Sequence, residues 1–231
     1  MPEASLLLGI DTCGPSGSVA LARLQGGALT LLDQAELAGR SYSATLVSAV
    51  GAMLARHSAT LGDLAALVVV SGPGSFTGVR VGLSAAKGLA EPAEIPVVAV
   101  SRLAVLGQKA GTEAAALDAH RQEVFLRIGV AGAEPREMLA GTDELAAMTA
   151  PERIAVCDEA VALLLATWPA AQQVPVEPPT ATDAMQFALP RIAARAFDDI
   201  ALLDGHYLRR SDAEIFGGPV VPEPVPQPGK R

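Results

Sequence analysis

Four consecutive apolar residues, Leu67-Val68-Val69-Val70, run into the glycine-rich segment Ser71-Gly72-Pro73-Gly74-Ser75-Phe76-Thr77-Gly78, and a helix-forming stretch follows at once. An unbroken apolar run of this length, bounded by turn residues, suits a strand covered on both faces. That requirement points to an α/β architecture. Gly72, Gly74 and Gly78 permit positive φ and close approach of backbone. A loop that opens a helix also turns N–H groups outward, as an anion-binding nest does. Yet the segment lacks the Gly-Lys-Ser/Thr ending of a P-loop, so no lysine stands against a phosphate. Two readings of the loop follow: a structural turn, or a cradle that helps frame a nucleotide at an interface shared with another chain.

The flanking pattern supplies the rest of a lobe. Leu6-Leu7-Leu8-Gly9-Ile10 reads as a buried strand ended by Asp11-Thr12-Cys13-Gly14-Pro15, Ser18 to Leu24 as a second, and Gly26-Gly27 as the turn into a third over Ala28–Leu37. A helix is expected from Ser41 to Arg56, with Leu46, Val47, Val50, Met53 and Leu54 on one apolar face. After the glycine-rich loop come a helix from Val79 to Ala90, closed by Pro92, and a strand from Ile95 to Val100. The order then restarts: strands at Ala114–Asp118, Glu123–Val130 and Pro135–Leu139, a weak helix at Asp143–Met148, a strand at Arg153–Cys157, and helices at Glu159–Ala166 and Thr182–Phe197. Two rounds of one plan indicate internal duplication with a degraded second copy. The expected division is a first lobe over 1–100, a second over 101–216, and a proline-rich extended tail over 217–231.

Composition narrows the function. Aromatics make up 3% of the 231 residues, so Ala, Val and Leu must fill the core. The formal charge of −8 argues against a chain that grips a phosphate backbone by itself, and the nearest basic cluster, Arg191, Arg195, Arg209 and Arg210, is spread over two elements. Cys13 and Cys157 fit no metal-ligand spacing and read as reduced, largely buried thiols. No apolar run approaches the roughly 20 residues of a spanning helix. With no basic stretch ahead of Leu6, the expectation is a cytoplasmic protein without membrane contact.

The segment Ser71 to Ala90 resembles the signature of the TsaB (YeaZ) family, a GPGSFTG loop followed by an R-x-G-x-x-x-A-K-G-L-A helix. Leu8-Gly9-Ile10-Asp11-Thr12 with Ser18-Val19-Ala20-Leu21 is similar to the family's opening hairpin, Leu117-Asp118-Ala119-His120-Arg121-Gln122-Glu123-Val124-Phe125 to its DARRxEVY segment, and Tyr207-Leu208-Arg209 to its closing Y-x-R motif. The resemblance covers about residues 6–130 and 204–214. Tyr42-Ser43-Ala44 stands where the family often has His-Ser-Glu, and Gly205-His206 where a proline would be usual.

The resemblance implies a two-lobed actin-like fold of the hexokinase/Hsp70 type and a non-catalytic role. The chain would pair with a TsaD-type catalytic subunit or with a second copy of itself, and associate with a TsaE-type ATPase. That machinery forms threonylcarbamoyladenosine beside the anticodon of tRNA, and tRNA would meet this chain only through the complex. No cofactor is expected on the chain alone; ATP or ADP would sit at the complex interface, near Asp11, Gly72, Gly74, Ser75 and Gly78. The two first-lobe helices would form the docking surface, with Leu46, Val50, Met53, Val79, Leu83 and Ala86 as candidates. Small residues along the second helix, Gly82, Ser84, Ala85, Ala86 and Gly88, invite close approach by another element, at a cost of up to about 1 kcal/mol for each helical glycine.

The three histidines, His57, His120 and His206, form no His-x-x-x-His pair, so no helix presents two imidazoles to a metal. Two rival readings make different demands. A free-standing actin-like ATPase or kinase needs Asp11 and the Gly72–Gly78 loop to hold Mg-nucleotide, whereas a peptidase needs Cys13, Ser75 or a histidine as reacting group.

Overall fold

Gly26 and Gly27, at φ 58° and 82°, turn β2 (Ser16–Gln25) into β3 (Ala28–Ala38) and so extend the hairpin that β1 (Ser5–Asp11) begins. The computed structural model describes residues 5–38, 41–130 and 132–209. β1 lies parallel to β4 (Leu64–Gly72), and β4 to β5 (Val97–Ser101), giving the order β3-β2-β1-β4-β5. The second sheet repeats the plan with β6 (Ala115–Asp118), β7 (Glu123–Val130), β8 (Ala133–Gly141), β9 (Arg153–Val156) and β10 (Gln172–Pro175). Its order is β10-β9-β6-β7-β8. In each sheet an antiparallel meander is continued by two parallel strands, and the pair makes the two-lobed actin-like fold.

The helices record how far the second copy has shrunk. In the first lobe α1 (Tyr42–Arg56) and α2 (Phe76–Ala90) have 15 residues each. Their counterparts α4 (Thr142–Ala147) and α5 (Glu159–Leu164) have six each. The remaining two helices cross between lobes. α3 (Arg102–Ala110) follows β5 in sequence, but its Leu103 and Leu106 pack with Ala115, Leu117, Phe125 and Ala155 of the second sheet. α6 (Ala181–Ala193) follows β10, yet Ala181, Ala184, Met185, Ala188 and Ile192 lie in the core of the first sheet. A cut at 100/101 therefore severs Ser101 from β5, leaves α3 with the second sheet and parts α6 from the sheet it covers. The tail over 217–231 lies outside the described residues.

Two elements, α3 and β10, have no counterpart in the sequence reading. α3 is nonetheless marked by its ends. The Ser101 hydroxyl accepts from the Ala104 N–H, and Gly111 closes the helix at φ 63°. Val47 was expected on the apolar face of α1 but is 56% exposed, and Tyr42 takes a place on the buried face instead.

The exchange of α6 onto the first sheet depends on Gly9. A Cβ there would lie 2.7 Å from the Ala181 carbonyl oxygen and 3.0 Å from Met185 Cγ, while Ser18 Oγ accepts from the Ala181 N–H at 2.8 Å. Gly9→Ala must push helix from strand, and overpacking of this kind costs about 1–3 kcal/mol. The expected result in urea is a lower unfolding midpoint with unchanged far-UV ellipticity in native buffer.

Candidate functional site

The ends of β1 and β4 meet where the sequence placed its nucleotide candidates. Asp11 closes β1 with its side chain 1% exposed; its Oδ1 accepts from the Cys13 N–H at 2.8 Å, and its Oδ2 lies 3.5 Å from Arg102 Nε. The Tyr42 hydroxyl donates to the Gly14 carbonyl at 2.8 Å, and burial together with nearby Asp11 pushes its phenol up to about 12. The glycine-rich loop leans on the same turn. Ser75 N–H donates to the Cys13 carbonyl at 2.8 Å, and Thr12 Oγ1 donates to the Gly78 carbonyl at 2.6 Å. Cβ atoms on Gly74 or Gly78 would collide with the Cys13 and Thr12 carbonyls. Gly72, at φ 116°, passes close to the His206 carbonyl.

Asp11, Gly72, Gly74, Ser75 and Gly78 are thus brought together, but for packing one backbone on another. The carbonyls of Cys13 and Thr12 face the loop, the wrong sign for phosphate, and the Asp11 carboxylate already has a cation and an N–H. Ser75 serves as N-cap of α2, its hydroxyl accepting from Gly78 N–H. Within this chain the residues do not fit a Mg-nucleotide.

The six expected docking residues need correction. Leu46, Val50, Met53, Val79, Leu83 and Ala86 are at most 5% exposed and belong to the core cluster under α1 and α2. Apolar periodicity finds the face a helix buries against its own sheet first, so it selected the buried side. The outward side carries Ala44, Val47, Ser48, Gly51, Ala52 and Ala55 on α1, and Phe76, Thr77, Arg80, Ser84 and Gly88 on α2. Among these, Phe76 and Val47 are the large hydrophobic side chains in solvent.

Three motifs far apart in sequence converge beside this face. His206 N–H donates to the Ser71 carbonyl at 2.7 Å, which delivers Tyr207 to Phe76 with ring centroids 5.0 Å apart. Arg80 lies over the Phe76 ring at 3.6 Å and near the Tyr207 ring at 5.9 Å. Two residues on, Arg209 pairs with Glu123 of β7. Next to them the Glu137 carboxylate, 8% exposed, accepts from Ser101 Oγ at 2.7 Å, Arg127 Nη1 at 2.8 Å and His206 Nε2 at 2.8 Å. Burial alone would push the Glu137 carboxyl up, but hydrogen bonds from His206, Ser101 and Arg127 prevail and hold it below the usual range. Since Ser101 is on β5 and Glu137 on β8, this carboxylate ties the lobes together. Periodicity gives no hint of it, because a buried ion looks like any other strand glutamate in sequence.

The remaining reactive groups are committed to structure. Burial, and then Asp11, push the Cys13 thiol well up, away from the thiolate a nucleophile needs. His57 meets Asp33 at 3.3 Å, and His120 meets Asp118 at 2.8 Å in a turn where His120, Arg121 and Gln122 all have positive φ. Asp118 Oδ1 also accepts from the His120 N–H at 2.7 Å, so it stabilises the turn. At Glu137 the carboxylate sits between hydroxyl and imidazole, whereas an acyl-transfer relay needs the imidazole between hydroxyl and carboxylate. Among the described residues no three His, Cys, Asp or Glu side chains converge on a metal-sized site, and no helix is long and apolar enough to cross a membrane.

Comparison with known proteins places these features. A family model described as TsaD: tRNA N6-adenosine threonylcarbamoyltransferase matches residues 33–157. The tRNA threonylcarbamoyladenosine biosynthesis protein TsaB of Haemophilus influenzae is 38% identical over 125 residues, 52% of this chain and 51% of that protein. The chain thus spans about half the length of the curated relatives it matches. Two solved structures from Pseudomonas aeruginosa are similar throughout. One, an uncharacterized protein with similarity to peptidase YEAZ, has 28% identity and TM-score 0.70 over 89% of this chain and 100% of its own; the other, YeaZ, has 26% identity and TM-score 0.68 over 88% and 100%.

The Glu137 cluster yields a pH prediction. A carboxyl whose native pKa is lowered stabilises the fold fully above its ordinary value of 4.5, and that contribution disappears as pH falls through the lowered native value. Glu137→Gln is expected to cost about 1–3 kcal/mol at neutral pH and to flatten the acid limb of a stability-versus-pH curve. Parallel acid limbs in variant and wild type would contradict this assignment.

Proposed function

Because the chain belongs to the TsaB/YeaZ family, within the group described as TsaD: tRNA N6-adenosine threonylcarbamoyltransferase, we propose that it is the non-catalytic subunit of a tRNA threonylcarbamoyltransferase complex. Its task is to dock the TsaD-type catalytic subunit and hold it in a competent geometry while the threonylcarbamoyl group is placed on the adenosine beside the anticodon. A TsaE-type ATPase completes the complex, and any ATP or ADP at the shared interface is held mainly by the partners' groups. The setting is the cytoplasm, and tRNA is held chiefly by the other subunits, consistent with this chain's charge of −8.

The observation that carries this reading is the outward face of α1 and α2. Gly51 and Gly88 sit inside helices, and a Cβ at either would meet nothing within 4 Å. Each costs about 1 kcal/mol relative to alanine in a helix interior, with no compensation from the chain's own packing. With Ala44, Ser48, Ala52, Ala55 and Ser84 they form a low surface on which another helix can lie at short interaxial distance. Val47, 56% exposed, supplies apolar area that only a partner would bury. A second copy of this chain fits the same face, so a homodimer is the state expected when the catalytic subunit is absent.

The alternative, a free-standing actin-like ATPase or kinase, requires Asp11 to organise a metal-bound phosphate. Its carboxylate is spent on Arg102 and Cys13 N–H inside the core. Calorimetry with Mg-ATP on the isolated chain separates the readings: the docking role expects no saturable heat, the ATPase role micromolar binding.

Val47→Glu and Ser84→Glu place charges on the outward sides of α1 and α2 without touching the core. Each is expected to change stability by less than about 0.5 kcal/mol and, together, to abolish co-purification with the catalytic subunit and with it tRNA modification in a reconstituted system. Val50→Glu and Leu83→Glu, in contrast, are expected to unfold the first lobe. Normal complex formation by the folded Val47→Glu, Ser84→Glu protein would overturn the proposal.

A further inference from the structure

The Phe76–Arg80–Tyr207 stack is the feature of this surface that packing within the chain does not explain. Phe76 is 41% and Tyr207 38% exposed, although aromatics are scarce in this protein and Tyr42, Phe125 and Trp168 are buried. Arg80 is exposed, and among the described residues its guanidinium meets two ring faces and no carboxylate. An arginine stacked on an aromatic ring keeps its plane and its N–H edge fixed, so it loses little further freedom when it binds. Phe76, Arg80, Ser84 and Gly88 follow one another at four-residue spacing, which sets the stack at one end of the outward stripe of α2.

Charge selects the occupant. α1 and α2 contain no aspartate or glutamate; their charged residues are Arg56, Arg80 and Lys87. Arg56 is paired with Asp33 at 2.7 Å. Glu91, just past the last turn of α2, lies about 16 Å along the helix axis from Arg80, beyond a Debye length at physiological salt. The charges that these two helices carry in an acidic protein are therefore all cationic. A guanidinium pre-set on aromatic rings is a natural receptor for a planar carboxylate, and aromatic–arginine clusters are where protein interfaces concentrate their binding energy. A nucleic acid is the poorer fit, since one arginine offers too few phosphate contacts against the charge of the whole chain.

We propose that Phe76, Arg80 and Tyr207 form a carboxylate-receiving anchor on the docking face, filled by an aspartate or glutamate of the catalytic subunit and not by a second copy of this chain. The anchor rests on the docking role proposed above and adds its specificity: α1 and α2 of a second copy bring no acid to it, whereas a partner with one acidic side chain at the right place gains a desolvated, bidentate pair.

The test measures the dissociation constant for the purified catalytic subunit, at low and high salt, with wild type, Arg80→Ala, Arg80→Glu and Val47→Glu. Self-association is followed by sedimentation and binding to tRNA alone by filter retention. Arg80→Ala is expected to weaken heterodimer formation about 10-fold, equivalent to about 1.4 kcal/mol, and to reduce its salt dependence; Arg80→Glu weakens it further. Self-association should change less than twofold in Arg80→Ala. If Val47→Glu disrupts the heterodimer while Arg80→Ala binds within twofold of wild type, the anchor is wrong and the docking face stands. If neither variant alters binding, both fall. A larger loss of self-association than of heterodimer, or a loss confined to tRNA binding, overturns the anchor by assigning it to another occupant.

Discussion

The seating of the glycine-rich loop on the β1–β2 turn fixes nearly everything else in the first lobe. Gly74 and Gly78 have no side chain because the carbonyls of Cys13 and Thr12 stand where one would go. The contact is tied by Ser75 N–H to Cys13 and by Thr12 Oγ1 to the Gly78 carbonyl. It decides the angle at which α2 leaves the sheet, and hence which side of α2 faces Ile10 and which faces solvent. Of the two readings the sequence left open, a structural turn and a cradle for nucleotide, the contacts within the chain are those of a joint between two pieces of backbone. Glycine permits both uses, and only the direction of the opposing groups, carbonyl or N–H, tells them apart.

Much of the fold was legible because it rests on period and punctuation. Leu67–Val70 announced a doubly covered strand, and Gly26-Gly27 a hairpin. The repeat of three strands, helix, strand follows from element order alone. What escaped was held by tertiary contact. α3 is a nine-residue helix whose first residue is a buried arginine, so its apolar pattern is interrupted where the fold needs a charge. β10 is four residues long and owes its existence to β9 beside it. The candidate site was legible as a set of motifs and not as a surface. The sequence marked Gly72–Gly78, Glu123 and Tyr207 separately, and folding brings them within reach of one another through the His206–Ser71 hydrogen bond.

The burial of the six expected docking residues carries a general physical point. Hydrophobic periodicity reports the largest burial a helix experiences, and for a helix on a sheet that burial is its own core. An interface that forms later, between chains already folded, must be soluble beforehand and so cannot be strongly apolar. It announces itself by what it lacks: bulk, charge repulsion and a reason for its glycines. Gly51 and Gly88 are informative in this sense because nothing among the described residues requires them, whereas Gly9, Gly74 and Gly78 are each explained by an atom nearby.

The same logic bears on what the actin-like fold does here with the acids between its lobes. Arg102 enters the space between the lobes and meets Asp11 at 3.5 Å, with Gly14 leaving room for the guanidinium. A buried ion pair of this kind brings little net stability, because desolvating both charges offsets their attraction. It does commit the Asp11 carboxylate to fixed contacts inside the chain. The Glu137 cluster does likewise a few residues away, joining β5 to β8 through Ser101 and taking up His206. Side chains of the chain itself thus link the first sheet to α3 and to the second sheet. A surface held by such fixed contacts has less entropy to lose on binding than a mobile one.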